Sequence, residues 1–343
     1  MNQRPQPVVT DPNYLTARKR KPIMSANLVQ EESLSDNPLP LVLRPSLNGV
    51  DLVAWATANR KSILDNLVRI GGILFRGFAA VTAESFHAFV LAICGEPLEY
   101  TYRSTPRTHV GNGIYTSTEY PADSSIPMHN EMAYTRSWPM KIAFFSALCA
   151  KEGGETPIAD SRRVFQQIAP DVRDRFLRNG VLYVRNYGEG VDLSWQEVFR
   201  TDEKEQVEEH CYAHGIEYEW KDQNRLRTRQ VCQAIAQHPQ TGETVWFNQA
   251  HLFHVSALPA VIRETLLSTV GEENLPRNTY YGDGSPIELA ALEHIREIYQ
   301  RESVAFPWQT GDILLLDNML TAHGRAPYFG PRKVLVAMAD PNN

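Results

Sequence analysis

The chain has 343 residues, 43% apolar and 22% charged, enough to bury a large core as one big domain or two ordinary ones. A formal charge of -6 and a pI near 6.0 leave no electrostatic footprint for nucleic acid or an anionic membrane surface, so neither is an expected partner. The basic run at 18–21 has no apolar segment behind it, no long apolar window occurs, and Cys94, Cys149, Cys211 and Cys232 form no C-x-x-C pair, which together predict a soluble protein of the reducing cytoplasm.

Residues 1–40, rich in Pro, Asn, Ser and Asp, read as an irregular N-terminal arm. Residues 51–70 carry apolar side chains at helical spacing, GGILFRGF reads as a buried strand, and 82–94 as a helix with Thr82 at its N-cap. From 100 to 148 β-branched and aromatic residues predict several strands, with His129 and Glu131 on or beside one of them. In extended chain, positions i and i+2 share a face, so both side chains can meet one ion. A helix over 160–179 ends at Gly180 and leads into the strand VLYVRNY. A polar helix over 202–214, a hairpin around Pro239-Gln240-Thr241-Gly242 and a helix over 286–301 make about 190–300 an insertion or lid. GDILLLDN and KVLVAMAD are buried strands, and His323 falls in the connection between them. The expected fold is α+β: a double-stranded β-helix, or jelly-roll, core within a single domain over 41–343, with flanking helices and a long insertion between core strands. No repeat is evident, and no feature of the sequence sets an oligomeric state.

Two imidazoles and one carboxylate form the ligand set of a non-haem iron(II) site that leaves coordination positions open. His129, Glu131 and His323 offer that set. Taken alone the pattern is weak, because 10 histidines and 40 acidic residues in 343 give about one H-x-[DE] match by chance, and a single histidine is more often a core or surface residue.

Four segments in one order change this. They are IPMHNEMAYT, GGETPIADSR, HPQTGETVWFNQAHLFH and GDILLLDNMLTAHGRAPYFGPRKVLVAM. With them the chain, from residue 71 onward, resembles the taurine-dioxygenase and clavaminate-synthase superfamily of iron(II)/2-oxoglutarate oxygenases. GNGIYTSTEYPAD, LRTRQ and YYGDGS make it most similar to the syringomycin-biosynthesis type of amino-acid hydroxylase, as in peptide antibiotic assembly. The resemblance implies that His129, Glu131 and His323 hold Fe(II), and that O2 and 2-oxoglutarate are cosubstrates. It places Thr156 and Arg332 on the far carboxylate of 2-oxoglutarate, with Lys333 competing because neighbours on a strand face opposite ways. Arg325 is expected to make a structural ion pair or a substrate contact.

Substrate contacts are expected at Asn248 and His251, and one of Arg103, Arg107, Arg227 and Arg229 is a candidate for a substrate carboxylate. His251 and His254 lack acidic or Cys partners at zinc-ligand spacing, so a second metal pair is not expected. Glu131 stands where the related halogenases carry a small residue, which argues against halogenation. The implied reaction is hydroxylation of an aliphatic carbon, the β-carbon, of an amino acid that is free or bound to an aminoacyl carrier protein, with no catalytic acid or base beyond the iron ligands. Desaturation at the same iron site and non-catalytic ligand binding are the alternatives.

Overall fold

The structure is a computed structural model that describes residues 28–342 apart from 35–36, 80, 100–101, 103–106, 118–119, 189–192 and 222–223. It is a mixed fold of helices and sheets. An eight-stranded sheet runs in the order Val29–Ser33, Leu41–Pro45, Gly72–Phe75, Ile313–Asp317, Pro139–Leu148, Lys333–Pro341, Ile114–Thr116, His109–Gly111. Every neighbouring pair is antiparallel except Leu41–Pro45 with Gly72–Phe75. GILF and ILLLD are buried at every position, as expected of strands covered on both faces.

The two faces are distinguished along Pro139–Leu148. Phe145 stacks on Phe86 of the helix Ala83–Cys94 at 5.5 Å between ring centroids, whereas Phe144, pointing the other way, meets His323 edge-on at 5.0 Å. The helices Leu52–Ala58, Arg60–Ile70 and Ala83–Cys94 therefore cover one face. Toward the other lies a three-stranded sheet of Ile126–His129, Thr321–Arg325 and Ile158–Asp160, with Thr321–Arg325 in the middle. His323 thus sits on a fully buried strand of its own rather than in a connection. The strand TAHGR has a single small apolar side chain, Ala322, among Thr321, His323, Gly324 and Arg325, which hides the apolar signature of a strand.

A second core lies around a four-stranded antiparallel sheet, Glu217–Lys221, Arg225–Cys232, Val181–Tyr187, Arg277–Tyr281, packed with Phe176, Trp246 and Leu292. Val181–Tyr187 is a central strand of that sheet, so the intercalated block begins before residue 190. Two helices expected as single pieces are each divided. Asn59 stops the first by bonding its Nδ2 back to Trp55 O at 2.8 Å, and Pro170 forces Ala169 into extended backbone (φ -53°, ψ 136°) in the second. Within the N-terminal arm, Val29–Ser33 forms a strand because Leu41–Pro45 offers it an open edge; residues 1–27 lie outside the described residues. No helix among the described residues is long and apolar enough to cross a membrane.

Candidate metal centre

His129 and His323 are direct cross-strand partners, which places both imidazoles on one face with ring centroids 4.6 Å apart. Glu131 completes the set: one ligand atom from each of the three lies within 4.8 Å of the others, the one such cluster of His, Cys, Asp or Glu found among the described residues. His129 Nδ1 is 2.8 Å from Pro127 O, and a carbonyl can only accept, so Nδ1 carries the proton and the Nε2 lone pair is available. Burial lowers the pKa of His129 and pushes that of His323 well below its ordinary value, so both rings are neutral bases at physiological pH. Neutral imidazoles with a converging carboxylate fit a ferrous ion that keeps open coordination positions.

Glu131 is not delivered by strand alternation. The strand ends at His129, and Glu131 opens the turn that follows. In place of a strand partner, the buried Asn318 carboxamide grips its backbone: Glu131 N donates to Asn318 Oδ1 at 2.7 Å, and Asn318 Nδ2 donates to Glu131 O at 2.9 Å and Pro139 O at 2.8 Å. Asn130 Nδ2 reciprocates onto Asn318 O at 2.7 Å. Gln249 Nε2 holds Asn130 O at 2.7 Å and His251 Nε2 holds Met128 O at 2.9 Å. The segment from Met128 to Glu131 is therefore fixed on every side by buried side chains.

The imidazoles open into a cavity between the two sheets, walled on the large-sheet side by Phe144, Val334 and Val336. Arg332, Thr156 and Ser117 also line it. Arg332 Nε donates to Gly154 O at 3.0 Å and Nη1 to Ser117 Oγ at 3.3 Å, and burial lowers its pKa to about 10. Lys333 is exposed, so the alternation that left two candidates turns Arg332 inward. The Thr156 hydroxyl accepts from Trp308 Nε1 at 3.2 Å, which leaves its own proton to donate. Arg325 also reaches the cavity, but its guanidinium is committed to the carbonyls of Tyr120, Pro121 and Ser124 at 3.0, 2.6 and 2.6 Å, a structural anchor rather than an ion pair.

Residues 35–338 match the taurine catabolism dioxygenase TauD, TfdA family. The chain belongs to this family. Across 310 residues it is 40% identical to the dapdiamide synthesis protein DdaC of Enterobacter agglomerans, which covers 87% of this chain and 94% of DdaC. Across 335 residues it is 31% identical to a clavaminate synthase-like protein of Arabidopsis thaliana, 92% of this chain and 98% of that one. The crystal structure of PvcB from Pseudomonas aeruginosa has a similar fold, with a TM-score of 0.55 at 15% identity over 93% of this chain and 94% of PvcB. As a TauD/TfdA-family dioxygenase, the protein uses Fe(II), 2-oxoglutarate and O2.

In this TauD/TfdA-family enzyme the expected substrate contacts Asn248 and His251 do not line the cavity that holds His129 and His323. Asn248 is fully buried and bonds the backbone, Nδ2 to Ala234 O at 2.8 Å and Oδ1 from Ala250 N at 3.0 Å, and it is not among the residues that line this cavity. His251 lies behind the ligand strand and not in the cavity, its ring 4.8 Å from that of Tyr299. Within residues 190–300 no described side chain lines this cavity, and two residues of the block, Gln249 and His251, bond the backbone of the ligand segment. Arg227 donates to the Asn186 side-chain Oδ1 and to the Glu273 backbone carbonyl, Arg229 is exposed, and Arg103 lies outside the described residues. Sequence reasoning missed Asn318, Gln249, Ser117 and Trp308. The available signal was Asp317-Asn318 closing an apolar strand, since buried polar side chains need partners.

Proposed function

We propose that this dioxygenase hydroxylates an aliphatic carbon, the β-carbon, of an amino acid, free or as a thioester on a carrier protein, in a specialised biosynthetic pathway. The observation that carries the reading is one cavity lined both by His129 and His323, which Glu131 joins in a three-ligand cluster, and by Arg332, Thr156 and Ser117. The name of its relative DdaC, a dapdiamide synthesis protein, supports the biosynthetic setting. A cytoplasmic location is part of the proposal and is supported by four free cysteines. We also read the two sheets that face each other across the cavity as the leaves of a double-stranded β-helix.

When bound, Fe(II), 2-oxoglutarate and O2 supply the oxidising chemistry, converting the cosubstrate to succinate and CO2 while one oxygen atom enters a C–H bond. The protein's residues bind and orient. His129, Glu131 and His323 are the metal ligands. Arg332 offers a guanidinium fork to the distal carboxylate, and Thr156 adds a hydroxyl donor. Phe144, Val334 and Val336 keep water from the reacting centre. No side chain is required as general acid or base.

The test is succinate release from 2-oxoglutarate with added Fe(II), stimulated by amino acids offered free and loaded on a carrier, and scored by product mass. The expected result is substrate-stimulated succinate and a gain of one oxygen atom, both abolished in His323→Ala. Absence of succinate from the wild-type protein overturns the reading, and equal turnover of free and loaded forms removes the carrier from it.

A further inference from the structure

The hairpin around Pro239-Gln240-Thr241-Gly242 is closed by the strands Ile235–Gln237 and Thr244–Trp246, and none of its residues lines the cavity. His238, at the start of its turn, is nevertheless buried and joins that turn to the metal centre. On one side of the ring, Nδ1 accepts from the backbone N–H groups of Gln240 at 3.3 Å and Thr241 at 3.2 Å. A nitrogen that accepts carries no proton, so the proton is on Nε2, which donates to Asp317 Oδ2 at 3.0 Å. Asp317 Oδ1 in turn accepts from Met319 N and Leu320 N, both at 3.0 Å. Asp317 ends the strand Ile313–Asp317 and Thr321 opens the strand that carries His323, so this carboxylate shapes the short turn between them. Asn318 is the first residue of that turn, and its carboxamide grips both backbone groups of Glu131. One connection therefore sets the place of Glu131 through Asn318 and leads directly into the strand of His323.

We propose that His238 is a positioning residue for the metal centre: its imidazole holds the Asp317 carboxylate in the orientation that presents Asn318 to Glu131 and starts the His323 strand. This rests on the reading of His129, Glu131 and His323 as the metal ligands. The Asp317 side chain is almost fully buried, so losing the imidazole N–H leaves Oδ2 without its donor in a setting where that is costly. A rotation that found Oδ2 a new partner would draw Oδ1 away from Met319 N and Leu320 N, and the turn would shift with it. Net stability is a poor reason for such a bridge, since apolar side chains of similar volume often serve as well. Direction is what it adds. The imidazole ring is rigid, with an acceptor toward the hairpin and a donor toward Asp317, so it transmits the position of one to the other across 79 residues of chain.

The experiment compares His238→Gln, His238→Asn and Asp317→Asn with the wild-type protein by Fe(II) titration under nitrogen, by the visible spectrum of the Co(II)-loaded protein, and by thermal melting. The glutamine carboxamide reaches the Nε2 position and keeps a donor to Asp317. The asparagine carboxamide reaches only the Nδ1 position, so it keeps the acceptor for Gln240 N and Thr241 N and leaves Asp317 Oδ2 without its donor. Asp317→Asn keeps the acceptor for Met319 N and Leu320 N but sets an N–H against the imidazole N–H. All three variants are expected to melt at lower temperature. Iron affinity is expected to fall about tenfold in His238→Asn and Asp317→Asn, the lower end of the loss when a ligand's support is removed, and to stay within about threefold in His238→Gln. The Co(II) bands of His238→Gln should overlay those of the wild-type protein, and those of the other two should shift with the ligand geometry. A residue that merely fastened the hairpin would lower the melting temperature and leave iron affinity and the Co(II) bands unchanged throughout. That result overturns the proposal, as does an equal loss of iron in His238→Gln and His238→Asn. Should His238→Asn fail to fold, Asp317→Asn carries the comparison with His238→Gln. An iron affinity that survives His323→Ala overturns the ligand reading itself, an outcome distinct from both.

Discussion

The two ends of the cavity are built by opposite means. At the metal end, directional hydrogen bonds from buried carboxamides fix the ligand segment: Asn318 on both backbone groups of Glu131, Gln249 on Asn130 O, and His251 on Met128 O. At the anion end, side chains are removed. Gly153 and Gly154 take left-handed backbone (φ +67° and +77°) and let Arg332 lie against the Gly154 carbonyl. Metal ligation needs donor atoms fixed within a few tenths of an ångström, which second-layer bonds supply. A guanidinium fork needs a passage to the carboxylate and tolerates adjustment along its own flexible stem.

The comparison is broken most severely at Asn318. In Asn318→Ala, Glu131 loses both backbone partners and Pro139 O loses its donor in a buried setting. Iron affinity is expected to fall about 10–100-fold, measured by Fe(II) titration under nitrogen, with stability falling by roughly 1–3 kcal/mol per orphaned group. Asn318→Asp keeps one bond and sets an acceptor against two carbonyl oxygens, so it should do no better. Gly153→Ala comes next. Its Cβ would lie 2.2 Å from Pro327 O, a backbone atom, at a φ that disfavours side chains, and a loss of about 1–3 kcal/mol is expected in denaturant melts. Gly154→Ala is gentler on the fold, because its Cβ would meet Arg332 Cδ and Nε at 3.0 Å and that side chain can shift. Its expected signature is a several-fold higher KM for 2-oxoglutarate, the shift of Arg332 weakening its charge-assisted bonds to the cosubstrate, with a smaller stability change than Gly153→Ala.

These supports also mark where the sequence is legible. GILF and ILLLD are continuous apolar runs and emerge as central strands; Thr82 caps its helix as its residue type suggests. The ligands His129, Glu131 and His323 are readable because few residue types bind iron and their order is characteristic. Their supports are not, since Asn318 meets Glu131 across 187 positions of chain and no local pattern encodes that meeting. TAHGR hides its strand for a related reason: Thr321 bonds Gly71 O, His323 joins the metal cluster and Arg325 holds the carbonyls of Tyr120, Pro121 and Ser124, all distant in sequence, so burial is not written in hydropathy. Asn248 is not legible either, because an asparagine near a site can serve a ligand or a turn; the structure shows its carboxamide bonded to Ala234 O and Ala250 N.

The smallest effects separate a residue that touches the cosubstrate from one that orients it. Thr156→Val removes the hydroxyl at nearly constant volume and leaves Trp308 Nε1 without its acceptor, so the KM for 2-oxoglutarate should rise about five- to tenfold, the worth of one hydrogen bond near 1 kcal/mol. Trp308→Phe removes only the donor. The Thr156 hydroxyl can still rotate to give its proton to a carboxylate, but it is no longer held in that rotamer, so KM should rise by less than about threefold with kcat unchanged. In the double variant the Trp308 change should add nothing to Thr156→Val, because its whole effect passes through the hydroxyl already removed. Additive penalties would mean instead that Trp308 acts on the cavity wall directly, and the anion end would then depend on packing as well as on glycine-permitted approach.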